Sequence, residues 1–191
     1  MFIQTEITPN PRTLKFLPGQ EVLAIGTASF SDKESAGASP LAEALFVINH
    51  VEGVFFGRDF VSVTKTDAVG WDVLKPHVLT TIMEHFIAGR PVMQAESTHG
   101  KVQATDTATA GGEDDPLSAQ IRELIETRVR PAVAEDGGDI VFRGFTEGVV
   151  FLEMYGACSG CPSSTLTLKN GIENMLKHYV PEVERVEAVN A

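Results

Sequence analysis

The only two cysteines of this 191-residue chain lie in one turn, Cys158-Ser159-Gly160-Cys161-Pro162, so any soft-metal or thiol redox chemistry must happen there. An apolar run from Gly148 to Tyr155 ends just before the pair, and a helical pattern begins just after it. The turn is therefore read as a strand-to-helix junction. That position suits thiolates, because the unpaired N–H groups and positive dipole end of a helix start stabilise negative sulfur and lower a thiol pKa. Pro162 is tolerated at the first helical position and pushes Cys161 out of the α region. The pattern predicts an exposed loop whose two sulfurs face the amides of Ser163 and Ser164.

Three chemistries compete for such a pair. A dithiol–disulfide oxidoreductase would resemble thioredoxin-type sites, but those rest on a larger parallel βαβ framework. No aromatic or basic residue lies between the cysteines to tune a thiolate. A structural zinc takes four ligands, so a zinc site would need a bridged dimer. A four-iron cluster likewise needs four thiolates, and one chain supplies two. The missing pair must then come from a second copy across a two-fold axis. Two merely packed thiols fit poorly with a Ser159-Gly160 spacer, which buries little.

The rest of the chain excludes more than it adds. Net charge is −11, and phosphate binding needs a basic face, so nucleic acid is not an expected partner. No run of about 18 apolar residues suggests a membrane span. His50, His77, His85 and His99 have no ligand-type spacing to one another or to the cysteines. No nucleophile triad, phosphate loop or catalytic carboxylate pair is visible, so no catalytic residue is expected and the chain is read as not an enzyme. The start, Met1-Phe2-Ile3-Gln4-Thr5-Glu6, shows neither a basic nor a hydrophobic leader. With so few cysteines, the reducing cytosol is the expected compartment.

The elements that must position the turn divide into two groups. Residues 94–116 are rich in Thr, Ala, Gly and acids, with one large aliphatic residue, and cannot bury enough surface to offset their ordering entropy. They read as a flexible linker between residues 1–93 and 117–191, and the acidic excess is densest in the second part. The fold class is α+β, two small α+β domains. In the first, strands are expected at Phe2 to Ile7, Leu14 to Leu17, Val54 to Phe56 and Asp59 to Lys65. Ser39-Pro40 opens a short helix to Val47, and a longer one runs from Trp71 to Ala88 with Leu74, Val78, Ile82 and Phe86 inward.

The second domain reads α-β-β-α-β, one layer of helices on a three-stranded sheet. Its first helix carries Leu117, Ile121, Leu124, Ile125 and Val129 inward, and Pro131 should kink or tighten it. Glu135-Asp136-Gly137-Gly138-Asp139 then reverses the chain into the strand Ile140 to Phe145. Thr146-Glu147-Gly148 turns into the strand that delivers the cysteines. After Pro162, the positions Thr165, Leu168, Ile172, Met175, Leu176 and Tyr179 form the buried face of a second helix, and Val183 to Val189 forms a last strand.

Gly156-Ala157-Cys158-Ser159-Gly160-Cys161-Pro162-Ser163-Ser164, continuing through Thr165 to Glu173, resembles the C-terminal domain of the NifU-like (Nfu-type) iron–sulfur carriers. The Glu135 to Asp139 turn fits the same pattern. Thr8-Pro9-Asn10-Pro11, with Leu14-Lys15-Phe16, is similar to the Nfu N-terminal domain. The resemblance implies a 4Fe-4S cluster bridging two chains, with Cys158 and Cys161 as its ligands and a homodimer when loaded. It further implies upstream cluster assembly proteins as donors and apo iron–sulfur proteins as recipients. A bacterial cytoplasmic form, or an organelle-matrix form with its leader removed, is expected.

Overall fold

The structure is a computed structural model and describes residues 2–94, 102–103, 116–159 and 162–189. The chain forms two compact units, Met1–Thr105 and Asp106–Ala191.

Unit one is built on six strands: β1 (Gln4–Ile7), β2 (Thr13–Leu17), β3 (Thr27–Phe30), β4 (Val51–Phe56), β5 (Val61–Lys65) and β6 (Val102–Gln103). They lie in the order β1-β2-β5-β4-β3-β6, with every pairing antiparallel. Register decides which side is apolar. Leu14 pairs with Val63 and Phe16 with Val61, while Val54 and Phe56 stand opposite the same two valines. Alternation along a strand then puts all of them on one face. Helices α1 (Pro40–Phe46) and α2 (Trp71–Ile87) cover that face with Leu41, Ala42, Leu45, Leu74, Val78 and Ile82, all buried.

The helix start at Ser39-Pro40 is as the sequence implied: Ser39 Oγ accepts from the Ala42 N–H at 3.1 Å and Pro40 takes the first helical position. Two elements carried no sequence signal. β3 is only four residues long, too short for its Ala28 and Phe30 alternation to stand out. A 3₁₀ turn at Ser35–Ala38 precedes α1. Inside the stretch read as linker, Val102–Gln103 pairs with β3 through Ala28 and Thr27. Val102 is the single large aliphatic residue of that stretch.

The second unit begins with α3 (Pro116–Leu124), a π-helical turn (Ile125–Val129) and α4 (Arg130–Glu135). The helix was expected to kink or tighten at Pro131, yet it widens. A proline ring crowds the carbonyl four residues back and its nitrogen cannot donate, so the turn before it takes up an extra residue. Strands β7 (Gly138–Thr146) and β8 (Val149–Gly156) follow, joined at Glu147 and Gly148, both at positive φ as a tight hairpin turn requires. Helix α5 (Pro162–Tyr179) carries the chain over to β9 (Arg185–Ala188), which pairs parallel to β8.

The order is therefore α-β-β-α-β with one parallel crossover, and the core joins Ile121, Ile125, Val133, Ile140, Leu152, Met154, Ile172 and Leu176. Tyr179 departs from the expected buried face. The residue is 40% exposed, with the Arg128 guanidinium 4.8 Å from its ring centroid and donating to its hydroxyl at 3.0 Å. A tyrosine at a helix end satisfies its hydroxyl more easily at the surface than in an apolar core.

Candidate functional site: the cysteine turn

Strand β8 ends at Gly156, whose φ of 64° is open to glycine at no steric cost and turns the chain toward α5. Ser159 closes the turn on itself, its N–H and its hydroxyl both donating to the Gly156 carbonyl, at 3.1 and 3.0 Å. Cys158 sits at the middle of this turn. Gly160 and Cys161 lie outside the described residues, as do the side chains of residues 162–165, so the expected approach of both sulfurs to the Ser163 and Ser164 amides falls there.

Cys158 itself corrects the expectation of an exposed, acidified thiol. It is 4% exposed and belongs to the apolar core of its unit. Burial, and then the nearby charges of Asp136 and Asp139, push its thiol up to about 12. Whatever the α5 dipole contributes, desolvation wins, because a thiolate in an apolar cluster loses its hydration. Neutral Cys158 is a packed group in this conformation, and ligation of a metal must expel its proton.

The wall opposite Cys158 is the Asp136-Gly137-Gly138-Asp139 reversal. Gly137 alone of its two glycines takes positive φ, at 80°. Gly138 is needed for a different reason. A Cβ there would lie 2.5 Å from Cys158 Sγ and 2.6 Å from the Tyr155 carbonyl, so only glycine admits the sulfur. Gly138 pairs with Gly156 across β7 and β8, and the Ala157 N–H donates to the Gly137 carbonyl at 3.2 Å. The reversal and the cysteine turn are thus held against each other by their backbones.

Behind that wall lies a group for which the sequence offered no signal. Arg130 grips Asp139 with both prongs, Nε to Oδ1 at 2.8 Å and Nη2 to Oδ2 at 2.7 Å, and reaches Glu126 through Nη1 at 2.7 Å. Asp139 is 3% exposed, and its Oδ1 also accepts from the Ile140 N–H at 2.8 Å. The hydrogen bonds to Asp139 hold the Arg130 guanidinium protonated even more firmly than usual, against the opposing effect of burial. An arginine nine residues before an aspartate has no local periodicity to announce it; the extra residue of the π turn brings it onto the strand. No group of three or more His, Cys, Asp or Glu residues able to hold a metal ion occurs among the described residues.

An α+β unit that seats Cys158 in the turn between a strand and a helix, joined to a second α+β unit, defines the class. Residues 3–89 match the family model described as scaffold protein Nfu/NifU N terminal, and residues 121–187 match that of the NifU-like domain. The chain is 49% identical over 190 residues to the NFU1 iron-sulfur cluster scaffold homolog, mitochondrial, of Homo sapiens, spanning 99% of this chain and 72% of that protein. It is 53% identical over 190 residues to NifU-like protein 5, mitochondrial, of Arabidopsis thaliana, spanning 98% and 67%. A solution NMR structure of a NifU-like protein from Saccharomyces cerevisiae aligns with 26% identity and a TM-score of 0.46, over 50% of this chain and 87% of that one. The chain belongs to the Nfu/NifU-like family of iron–sulfur cluster scaffold proteins.

Proposed function

We propose that two copies of this chain hold one 4Fe-4S cluster through Cys158 and Cys161 of each, and deliver it to apo iron–sulfur proteins. The observation that carries this reading is the ligand count. The chain's only two cysteines share one turn, so a single copy offers half of the four thiolates such a cluster takes. The cluster is cargo, and the chain acts as a carrier and not as an enzyme. Its domains are those read from the sequence, residues 1–93 and 117–191, with 94–116 joining them and lending Val102–Gln103 to the first sheet. Cluster assembly proteins upstream would load the turn. The mitochondrial relatives support the organelle matrix, of the two compartments expected from the sequence.

Transfer suits two ligands per chain better than storage does. An incoming thiolate can replace Cys158 and Cys161 one at a time, each exchange conserving the number of iron–sulfur bonds, so the barrier need not include dissociation of the whole cluster. The dithiol oxidoreductase reading is weakened by Cys158: a thiol pushed up to about 12 contributes little of the thiolate that attacks a disulfide.

Anaerobic reconstitution with iron and sulfide tests the proposal. The expected product is a coloured dimer with about four irons and four sulfides per two chains, which passes its cluster to an apo four-iron protein faster than free iron and sulfide rebuild one. A colourless zinc-bridged dimer, or a reversible Cys158–Cys161 disulfide with no iron retained, would overturn it.

A further inference from the structure

The Arg130–Asp139 pair is costly and its placement is specific. Removing two charges from water is repaid only by good geometry, so a buried ion pair is weak evidence of stability and calls for another reason to be there. Asp139 is 3% exposed and the Arg130 side chain 19%, and both oxygens of the carboxylate are engaged by the guanidinium fork. The π turn at Ile125–Val129 immediately precedes Arg130. One extra residue rotates everything after it by about 100° around the helix axis, and here that rotation turns Arg130 toward β7. Π turns of this kind concentrate at functional sites.

The pair leads directly to the cysteine. Asp139 is bonded in sequence to Gly138, whose Cα faces Cys158 Sγ with no room for a methyl group. Gly137, one residue earlier, receives the Ala157 N–H. Fixing the Asp139 carboxylate therefore fixes the two glycines, and the two glycines fix where Ala157 and Cys158 lie. Arg130 reaches Cys158 through this chain of contacts.

We propose that Arg130 and Asp139 are positioning residues for the cluster: their ion pair holds the Gly137-Gly138 wall that sets the seat of Cys158, so that the turn receives and keeps its iron in one geometry. This rests on the carrier reading above, and it assigns to helix and strand the orienting role that partners of metal ligands play elsewhere. Lysine cannot replace the fork, since it offers a point charge in place of two parallel N–H groups.

The test uses the full chain as wild type and as R130Q, R130K, D139N and E126Q, the last removing only the exposed partner of Arg130. Three quantities are read: thermal midpoint, the rate at which iodoacetamide labels Cys158 of the apo protein in a Cys161→Ser background, and, with both cysteines present, the visible circular dichroism and chelator lifetime of the reconstituted cluster. The expected result is faster Cys158 labelling in R130Q, which keeps the Asp139 charge, and an altered cluster spectrum in both R130Q and D139N. Their cluster lifetime should fall about ten- to hundredfold, the range for lost ligand-orienting partners. R130K should lie between them and wild type, and E126Q should match wild type. Wild-type labelling, spectrum and lifetime in R130Q and D139N, whatever their thermal midpoints, would overturn the proposal. If those two do not fold, R130K decides by the same criteria. Should the wild type itself take up no cluster, the carrier reading fails, while the labelling rates still show whether the pair seats Cys158.

Discussion

At the reversal between β1 and β2, Thr8 and Asn10 hold the chain with neutral hydrogen bonds. At the reversal between α4 and β7, Arg130 and Asp139 hold it with a two-pronged ion pair. In the first, the Thr8 hydroxyl is shared between the Asn10 and Thr13 carbonyls at 2.9 and 3.0 Å, and Asn10 Oδ1 accepts the Arg12 N–H at 3.0 Å. Those three bonds lie within five residues, while the longer reaches at this reversal, Trp71 Nε1 donating to the Pro11 carbonyl at 3.2 Å and an Arg12–Glu52 ion pair at 3.2 Å, tie it to the rest of its own unit. In the second, the partners lie on a helix and a strand, and the turn between them forms the wall of a cysteine. Local neutral bonds suffice to finish a fold. The Arg12–Glu52 pair of the first reversal is single and partly exposed, whereas a buried, two-pronged clamp stands where the position of one sulfur matters.

The largest break in that comparison comes from the thiols. Cys158→Ser or Cys161→Ser should abolish cluster uptake, since either change removes two of the four thiolates of a dimer. Iron and sulfide counts after anaerobic reconstitution measure this, and a full cluster on either variant would move the ligands elsewhere. Cys158→Ser should also destabilise its unit by about 1–3 kcal/mol, the cost of placing a hydroxyl in an apolar cluster. The sequence predicts an exposed loop there, and burial of Cys158 in the core reverses that expectation.

What was legible follows the same division. Period and punctuation announced the helices over Trp71–Ile87 and Pro162–Tyr179, the Ser39 cap and the order of elements around the cysteine turn. These features depend on neighbours a few residues apart. Burial of Cys158, the close approach at Gly138 and the Arg130–Asp139 pair depend on distant elements meeting, which no local pattern records. The two glycines of the reversal have separate tasks. Gly137 supplies the left-handed backbone, while Gly138 supplies the missing Cβ.

Gly138→Ala sharpens the comparison next. Its methyl group would meet both a sulfur and a backbone carbonyl, at 2.5 and 2.6 Å, and the carbonyl cannot give way as a flexible side chain would. Overpacking of this kind costs about 1–3 kcal/mol. A lower denaturation midpoint together with faster alkylation of Cys158 is expected. A variant as stable as the wild type, with its thiol equally protected, would show that the two turns separate freely. Asn10→Ala is the matched change in the first unit. It should cost about 1 kcal/mol for the lost turn hydrogen bond and leave cluster lifetime unaltered. Any effect on the cluster would contradict the assignment of that turn to the fold alone.

The smallest expected effect lies in the first unit and concerns pH. His85 is 3% exposed near the end of α2, edge-on to the Phe86 ring at 5.8 Å, and its Nε2 has no hydrogen-bond partner among the described residues. Burial holds its pKa below the ordinary 6.5, with the charge of Arg90 acting the same way and hydrogen bonding at the Pro91 and Arg90 backbone opposing. The unfolded chain therefore takes up the proton first as pH falls. Stability contributed by the neutral ring is fully present above about 6.5 and declines as pH drops from there toward the folded-state value. Trp71 is the sole tryptophan and packs edge-on against Phe16 in the core, so its fluorescence follows this unit alone. Thermal midpoints read by that signal should fall between pH 7.5 and 5.5 in the wild type and fall less in H85L, whose side chain carries no proton. Parallel curves for the two proteins would mean that the imidazole titrates alike in both states and that its burial carries no pH dependence.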